Sequence, residues 1–501
     1  MSCNYKSSHQ AEMAWQVNFN NIGSFSSTRV ADLNRDGILD IVMGAGGKEN
    51  SASDTAIIAL DGATGQLLWK APGENQFVGS SVFQDITGDG IPDVFIGGRW
   101  SELVALNGAD GQLIWRFLPH RPNPNPADSG WYNFTTPQFI PDQDQDDLDD
   151  LLISNGGDPF VPPNNPDRPA GRLMVISSGE GRILANVEVP DGKETYMSLV
   201  YKEGENENYN VLFGTGGETI GGSLFRTTLK DIMNEDLSGA KILTTSEHKG
   251  FIGSPAWVDI TLDGIEDIVV NAVDGKMLAI DGANDSLLWK VEIPGTEAYG
   301  TPAIGFFNAD SVPDFFTNFG IGVYPNLPES ILFMVDGKSG KVQYEVTVQG
   351  FQYACPVVAD LYGEGFDAAI INKGEIRIKN NKEHYYSYLL AFDFKNDRQF
   401  MWGDTLWGIN MASTPWLGDL DDNGDLDIIY SAVSYQQMVL NELIPEELTI
   451  ARYKTGYQLT KPVVWGAYLG SNYNAIFPKT TGADYFKPGE PNKASKLGQD
   501  K

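Results

Sequence analysis

The residues best equipped for chemistry are acids, and they recur at one spacing. Asp32, Asn34, Asp36 and Asp40 surround Gly37 and run straight into the apolar Ile41, Val42 and Met43. Oxygen side chains at loop positions 1, 3 and 5, with a glycine at 6, suit a hard cation that takes six to eight oxygens in a sharply turned chain. An EF-hand would add a bidentate Glu at position 12 between two helices. Here position 12 is Met43, and the run after Asp40 reads as a buried strand. The spacing therefore predicts a structural Ca2+ staple and not a helix-loop-helix sensor.

The loop returns as Asp85, Thr87, Asp89, Asp93, as Asp142, Asp144, Asp146, Asp150, as Asp259, Thr261, Asp263, Asp267, and as Asp419, Asp421, Asn423, Asp427. Clustered carboxylates repel one another unless a cation neutralises them. Several equivalent sites argue for structure, because Lewis-acid chemistry needs an open coordination position. Weaker copies keep Asn308, Asp310 and Asp314, or Asp360, Glu364 and Asp367, and the stretch near 201 keeps only the following strand.

Other chemistry is scarce. The histidines, His9, His120, His248 and His384, show no metal-ligand spacing, and no G-x-S-x-G elbow exists. The run Gly337 to Gly340 resembles the end of a phosphate loop, but Leu332 stands where the first glycine belongs, so a hairpin turn explains it better. No catalytic residue is expected. Cys3 and Cys355 are too far apart in sequence to suggest a disulfide framework or a zinc site. A formal charge of −32 excludes a nucleic-acid binder, which needs clustered Lys and Arg. No apolar run is long enough to span a membrane. Cys3 heads a polar, Ser-rich stretch like the mature end of a bacterial lipoprotein, so a lipid on Cys3 is the one membrane attachment expected.

The loops begin near 32, 85, 142, 201, 259, 306, 360 and 419, which defines eight units. Inside them, polar turns separate apolar runs that end in Trp69, Trp115 and Trp289. Asp-Gly and Thr-Gly supply the positive φ of a hairpin turn, so each unit reads as four strands. Radial repetition of four-stranded antiparallel units predicts an all-β, eight-bladed β-propeller, with seven blades as the alternative if the unit near 201 is discounted. Residues 11–20, with Trp15, resemble the fourth strand of the other units and are expected to close the ring. The organisation is then a tether over 1–10, one propeller over 11–477 and a disordered tail over 478–501, with residues 440–462 adding strands or a short helix at the seam.

In such a blade the acidic loop and the tight turn share one face. Variable insertions fall on the other, at 117–133, 155–171, 319–330 and 372–388. They are rich in proline, rings and arginine. Arg99, Trp100, His120, Arg121, Trp131, Tyr132, Arg168 and Tyr324 are the candidate ligand-binding residues there.

The acidic loop followed by Asp-Ile-Val and a glycine resembles the FG-GAP or VCBS repeat, and the run 59–69 ending in Trp69 resembles the tryptophan-docking motif of pyrroloquinoline-quinone (PQQ) type propellers. The first resemblance implies calcium on the blades, and the second implies tryptophans that lock neighbouring blades. Quinone dehydrogenases of the second kind would imply an adjacent cysteine pair beneath the cofactor. This chain has none, so no PQQ is expected. It looks closer to non-enzymatic relatives such as the outer-membrane assembly lipoprotein propeller. The expected function is a non-catalytic, calcium-stabilised, extracytoplasmic scaffold or adhesion propeller, on the outer membrane or cell surface, binding a protein or glycan. The alternatives are a polysaccharide lyase acting on acidic glycans, which the resemblance to eight-bladed calcium propellers suggests, and an integrin-like adhesion head.

Overall fold

A computed structural model describes residues 11–117, 133–158, 161, 165–204, 208–350, 352–379, 382–439 and 442–479. The tether 1–10 and the tail from 480 lie outside the described residues. The chain forms eight antiparallel sheets, one for each predicted unit. The first blade sets the pattern: Arg29–Ala31 innermost, then Asp40–Gly44, Ser53–Leu60 and Leu67–Gly73 outermost. After its opening acid the second strand is apolar because both its faces meet neighbouring blades, and Asp40–Gly44 is buried throughout. The outer strand alternates buried and exposed positions, as one covered face requires.

The unit near 201 is a complete blade of Val200–Glu203, Tyr209–Gly214, Gly222–Thr228 and Lys241–Ser246, so the count is eight. Ring closure is split between the chain ends. Trp416–Gly418, Asp425–Val439 and Glu442–Gln458 form three strands of the last blade, and Glu12–Asn20 adds the fourth against Glu442–Gln458. The expected seam element at 440–462 is thus a long strand, Glu442–Gln458.

Tryptophans lock successive blades. The indole N–H of Trp15 donates to the Gly62 carbonyl at 2.9 Å, Trp69 to Gly108 at 2.7 Å, Trp115 to Ser178 at 2.6 Å and Trp289 to Gly337 at 2.7 Å. Each acceptor belongs to the hairpin turn of the next blade. The phosphate-loop lookalike at 337–340 is therefore a dock. Each ring also lies on a glycine in the left-handed region: at Gly111 (φ +72°) a Cβ would stand 2.6 Å from the Trp69 ring. Gly111→Ala adds overpacking to backbone strain and should cost about 3 kcal/mol in a denaturant melt, with Gly192→Ala, where a Cβ meets nothing within 4 Å, as the control that carries only the strain.

Two regions depart from the sequence reading. The stretches 319–330 and 372–388 are not loops but the ends of tall hairpins, Asp314–Val323 with Asn326–Val335 and Ala368–Lys379 with Lys382–Asp393. With the last blade's long strands they raise one side of the insertion face. The second departure is residues 463–479, which enter the central channel as a plug. Inner strands are sheet edges whose N–H groups need acceptors. The plug supplies them: Trp257 N–H donates to the Ala475 carbonyl (2.8 Å), Val358 to Trp465 (2.8 Å) and Leu417 to Gly466 (2.6 Å). The Arg29 guanidinium, buried without a hydrogen bond, lies 3.7 Å from the Tyr473 ring centroid, a cation–π anchor for the plug.

Candidate functional site

Two places gather functional side chains. The first is the face of acidic loops. The position 1 carboxylate ties its own loop, as when Asp85 accepts the N–H groups of Gly88 and Gly90 at 2.7 Å each. The position 9 acid is buried and joins the loop to the hairpin turn: Asp40 accepts from Leu33 (2.8 Å) and Gly62 (2.9 Å), Asp93 from Ile86 (2.8 Å) and Gly108 (3.0 Å), and Asp267 from Ile260 and Gly282 (2.8 Å each). Burial pushes the carboxyls of Asp40 and Asp150 up to about 6 against the pull of these N–H donors.

Metal fit differs between loops. Asp142, Asp144 and Asp146 bring carboxylate oxygens within 4.8 Å of one another, as do Asp419, Asp421 and Asp427. In each set one oxygen is buried without a hydrogen bond, Asp144 Oδ1 and Asp421 Oδ1, which suits a cation. The chain also brings its own charges. Arg182 reaches Asp144 at 2.9 Å, while Arg452 and Lys454 reach Asp421 at 2.7 and 3.2 Å. The remaining acids, amides and hydroxyls of the spacing, Asp32, Asn34, Asp36, Thr87, Asp89, Asp259, Thr261, Asp263 and Asn423, cap local N–H groups or stand on the exposed loops.

The second place is the channel on the opposite face. Each link between blades carries a Ser, Thr or Cys at the same position before the inner strand: Ser27, Ser80, Thr136, Ser198, Ser254, Thr301, Cys355 and Thr414. They form a belt. Ser80 N–H donates to Thr136 Oγ1 (2.9 Å), Cys355 N–H to Thr414 Oγ1 (3.0 Å) and Thr414 N–H to Ser27 Oγ (3.0 Å). Above the belt the same links present Phe25, Phe134, Tyr196, Tyr299 and Tyr353, and these walls enclose a cavity of about 220 Å³ that Tyr468 of the plug also lines.

Charges ring this mouth in pairs. Arg99 meets Glu49 at 2.7 Å, Arg168 meets Glu194 at 3.7 Å, and Lys249 pairs with Glu297. Tyr196 donates its hydroxyl to Glu194 at 2.9 Å, and Tyr299 donates to Glu297 at 2.7 Å. Burial outweighs Arg168 and the Tyr196 hydroxyl and raises the Glu194 carboxyl from 4.5 to about 7. A carboxyl raised in the folded state holds its proton there after the unfolded chain has lost its own, so its contribution to stability falls as pH rises from about 4.5 to about 7. Glu194→Gln should flatten that part of the pH–melting curve, and parallel curves for the two proteins would refute the assignment.

Of the residues expected on this face, the structure brings Arg99, Arg168 and Tyr324 to the mouth. Tyr324 donates its N–H to Glu297 Oε2 (2.9 Å) and meets Tyr353 edge-on at 6.3 Å. Trp100 sits beside Asn133 with φ +55°, in the turn that carries Arg99. His120, Arg121, Trp131 and Tyr132 lie outside the described residues. Sequence reasoning missed Glu194, Tyr196, Glu218, Glu297, Tyr299 and Tyr353. The signal for the tyrosines was an aromatic residue two places before five of the eight belt positions, visible once the links are aligned on Thr136-Pro, Thr301-Pro and Cys355-Pro.

Solved structures share this architecture at low identity. A quinohemoprotein alcohol dehydrogenase from Pseudomonas putida HK5 matches with TM-score 0.55 and 11% identity, over 91% of this chain and 79% of that one. A europium-containing methanol dehydrogenase gives 0.54 and 10%, over 90% and 96%. Sqt1 from Saccharomyces cerevisiae gives 0.51 and 8%, over 89% and 100%. At such identity the likeness is one of fold alone. No curated protein matches the sequence. The model of the FAM234A/B β-propeller matches residues 15–363, more than half of the chain and from the Trp15 strand through six acidic-loop units, and the chain belongs to that family.

Proposed function

We propose that this chain is a calcium-stabilised scaffold propeller working outside the cytoplasm, which binds a protein partner on the face that carries the tall hairpins and the channel mouth. The supporting observation is the asymmetry of the two faces. The acidic-loop face is short, self-bonded turns, and the plug follows the last strand from that side. The other face carries the rings of the mouth with the ion pairs around them. On its tallest hairpins His384 and Tyr386 pack against Trp407, which is 45% exposed, with Arg377 over Tyr386. Exposed rings beside arginine are the usual anchors of protein interfaces. The FG-GAP-like loops favour a compartment with near-millimolar calcium, where weak sites fill.

Photo-crosslinking residues at Trp407 and at Lys338, on opposite faces, test the reading in cells expressing the full chain. A discrete, saturable adduct from position 407 and none from 338 is the expected result. Equal labelling from both positions would refute a dedicated face.

A further inference from the structure

We propose that the channel mouth holds an alkylammonium group between Tyr196, Tyr299, Tyr324 and Tyr353, with Glu218 as its counter-ion. The inference rests on the partner-binding reading only for the source of the amine, a basic side chain of the partner. Three cations at the mouth already have carboxylates of their own, in the Arg99–Glu49, Arg168–Glu194 and Lys249–Glu297 pairs. Glu218 is a fourth carboxylate, half-buried, and no ion pair neutralises it among the described residues.

Its position is built. The Glu218 carbonyl accepts from Lys249 Nζ at 2.9 Å, and Arg168 donates to Thr219 Oγ1 at 3.4 Å. Gly217 is pressed against the Tyr196 ring, where a Cβ would stand 3.0 Å away, so the turn that carries Glu218 is held between Tyr196, Arg168 and Lys249.

The rings are equally fixed. Tyr196 and Tyr299 are oriented by their bonds to Glu194 and Glu297, Tyr353 stands edge-on to Tyr299 at 4.9 Å, and Tyr324 stands edge-on to Tyr353. Burial raises all four phenols, and the Glu218 charge contributes in the same direction to each. Aromatic faces attract cations, more strongly where water is excluded, and a nearby carboxylate adds charge that a neutral ligand cannot use. Tyr196, Tyr299 and Tyr353 line a cavity of about 220 Å³, room for one side-chain head and not a polymer segment, which Tyr324 adjoins through Tyr353 and the Glu218 turn through the contact of Gly217 with Tyr196.

The test is ligand-observed NMR on the full chain with N-acetyl-lysine methylamide and tetramethylammonium as probes, and with N-acetyl-norleucine methylamide and glucose as neutral comparisons. Both cations should bind with a dissociation constant on the order of 1 mM. The norleucine probe should not bind, and Glu218→Gln should weaken the cations by about tenfold or more without moving the melt. Equal binding of the norleucine probe, or binding of glucose alone, would overturn the proposal, and so would cations that ignore Glu218→Gln. If the cations fail while the position 407 adduct forms, the amine site falls and the partner reading stands. If they bind and no adduct forms, the site stands and serves a free amine.

Discussion

Arg452→Met should destabilise the protein by about 3 to 5 kcal/mol, the loss typical when one member of a buried ion pair is removed and the other is left. Arg452 is 1% exposed on the long strand of the last blade. It donates to Asp427 through Nε and Nη2, each at 3.0 Å, and to Asp421 at 2.7 Å, while Nη1 crosses to the first blade and reaches the Gly62 carbonyl at 3.0 Å. That carbonyl also accepts the Trp15 indole. One guanidinium therefore neutralises an acidic loop and ties the seam at which the chain's two ends meet. Methionine fills the volume but leaves Asp427 buried with only the Leu420 N–H, at 3.2 Å. Adding Asp427→Asn should recover part of the loss, because the amide oxygen still accepts from Leu420 and the charge is gone. Hydrogen exchange should locate the damage, with protection falling first in Glu12–Asn20. A loss below about 1 kcal/mol, the scale of an exposed pair, would mean that the seam is held by strand pairing alone.

Arg452 also marks a limit of sequence reading. Eight blades were legible because two signals repeat in register, the 1-3-5-9 acids and the hairpin that ends in Trp69, Trp115 or Trp289. Trp15 extended the second signal to the N-terminus, and the pairing of Glu12–Asn20 with Glu442–Gln458 follows from it. What repeats once per blade can be seen in one sequence, and what happens once cannot. The plug is aperiodic, and its bonds join Gln138 to Tyr473 and Trp257 to Ala475, residues brought together only by ring closure. The hairpin at 372–388 read as an insertion because polar residues interrupt it, yet it continues the paired strands Ala368–Lys379 and Lys382–Asp393 of its blade. The mouth was half legible. Arg99, Arg168 and Tyr324 stood out as cations and rings in insertions, while Glu194 and Glu297 were lost among 67 acids because nothing local separates a buried carboxylate from an exposed one.

Calcium should raise the stability of this protein by about 5 kcal/mol when two sites fill, since a site with a dissociation constant near 0.1 mM contributes about 2.7 kcal/mol at 10 mM calcium. The loops at Asp142 and Asp419 are the two whose acids converge, and each keeps an oxygen, on Asp144 or Asp421, with no hydrogen-bond partner. Their charge balance differs. Arg182 is 55% exposed and can swing away from Asp144, whereas Arg452 is fixed beside Asp421. The Asp142 loop should therefore depend more on metal. In a melt, chelator should lower the midpoint and calcium restore it. Magnesium at the same concentration should restore less, because it demands near-ideal octahedral geometry and gives up its waters reluctantly. Asp144→Asn should remove more of the calcium increment than Asp421→Asn. A midpoint indifferent to chelator would make these loops ordinary turns stapled by their own N–H groups. Equal rescue by magnesium or by sodium chloride would reduce the effect to screening of the acidic surface.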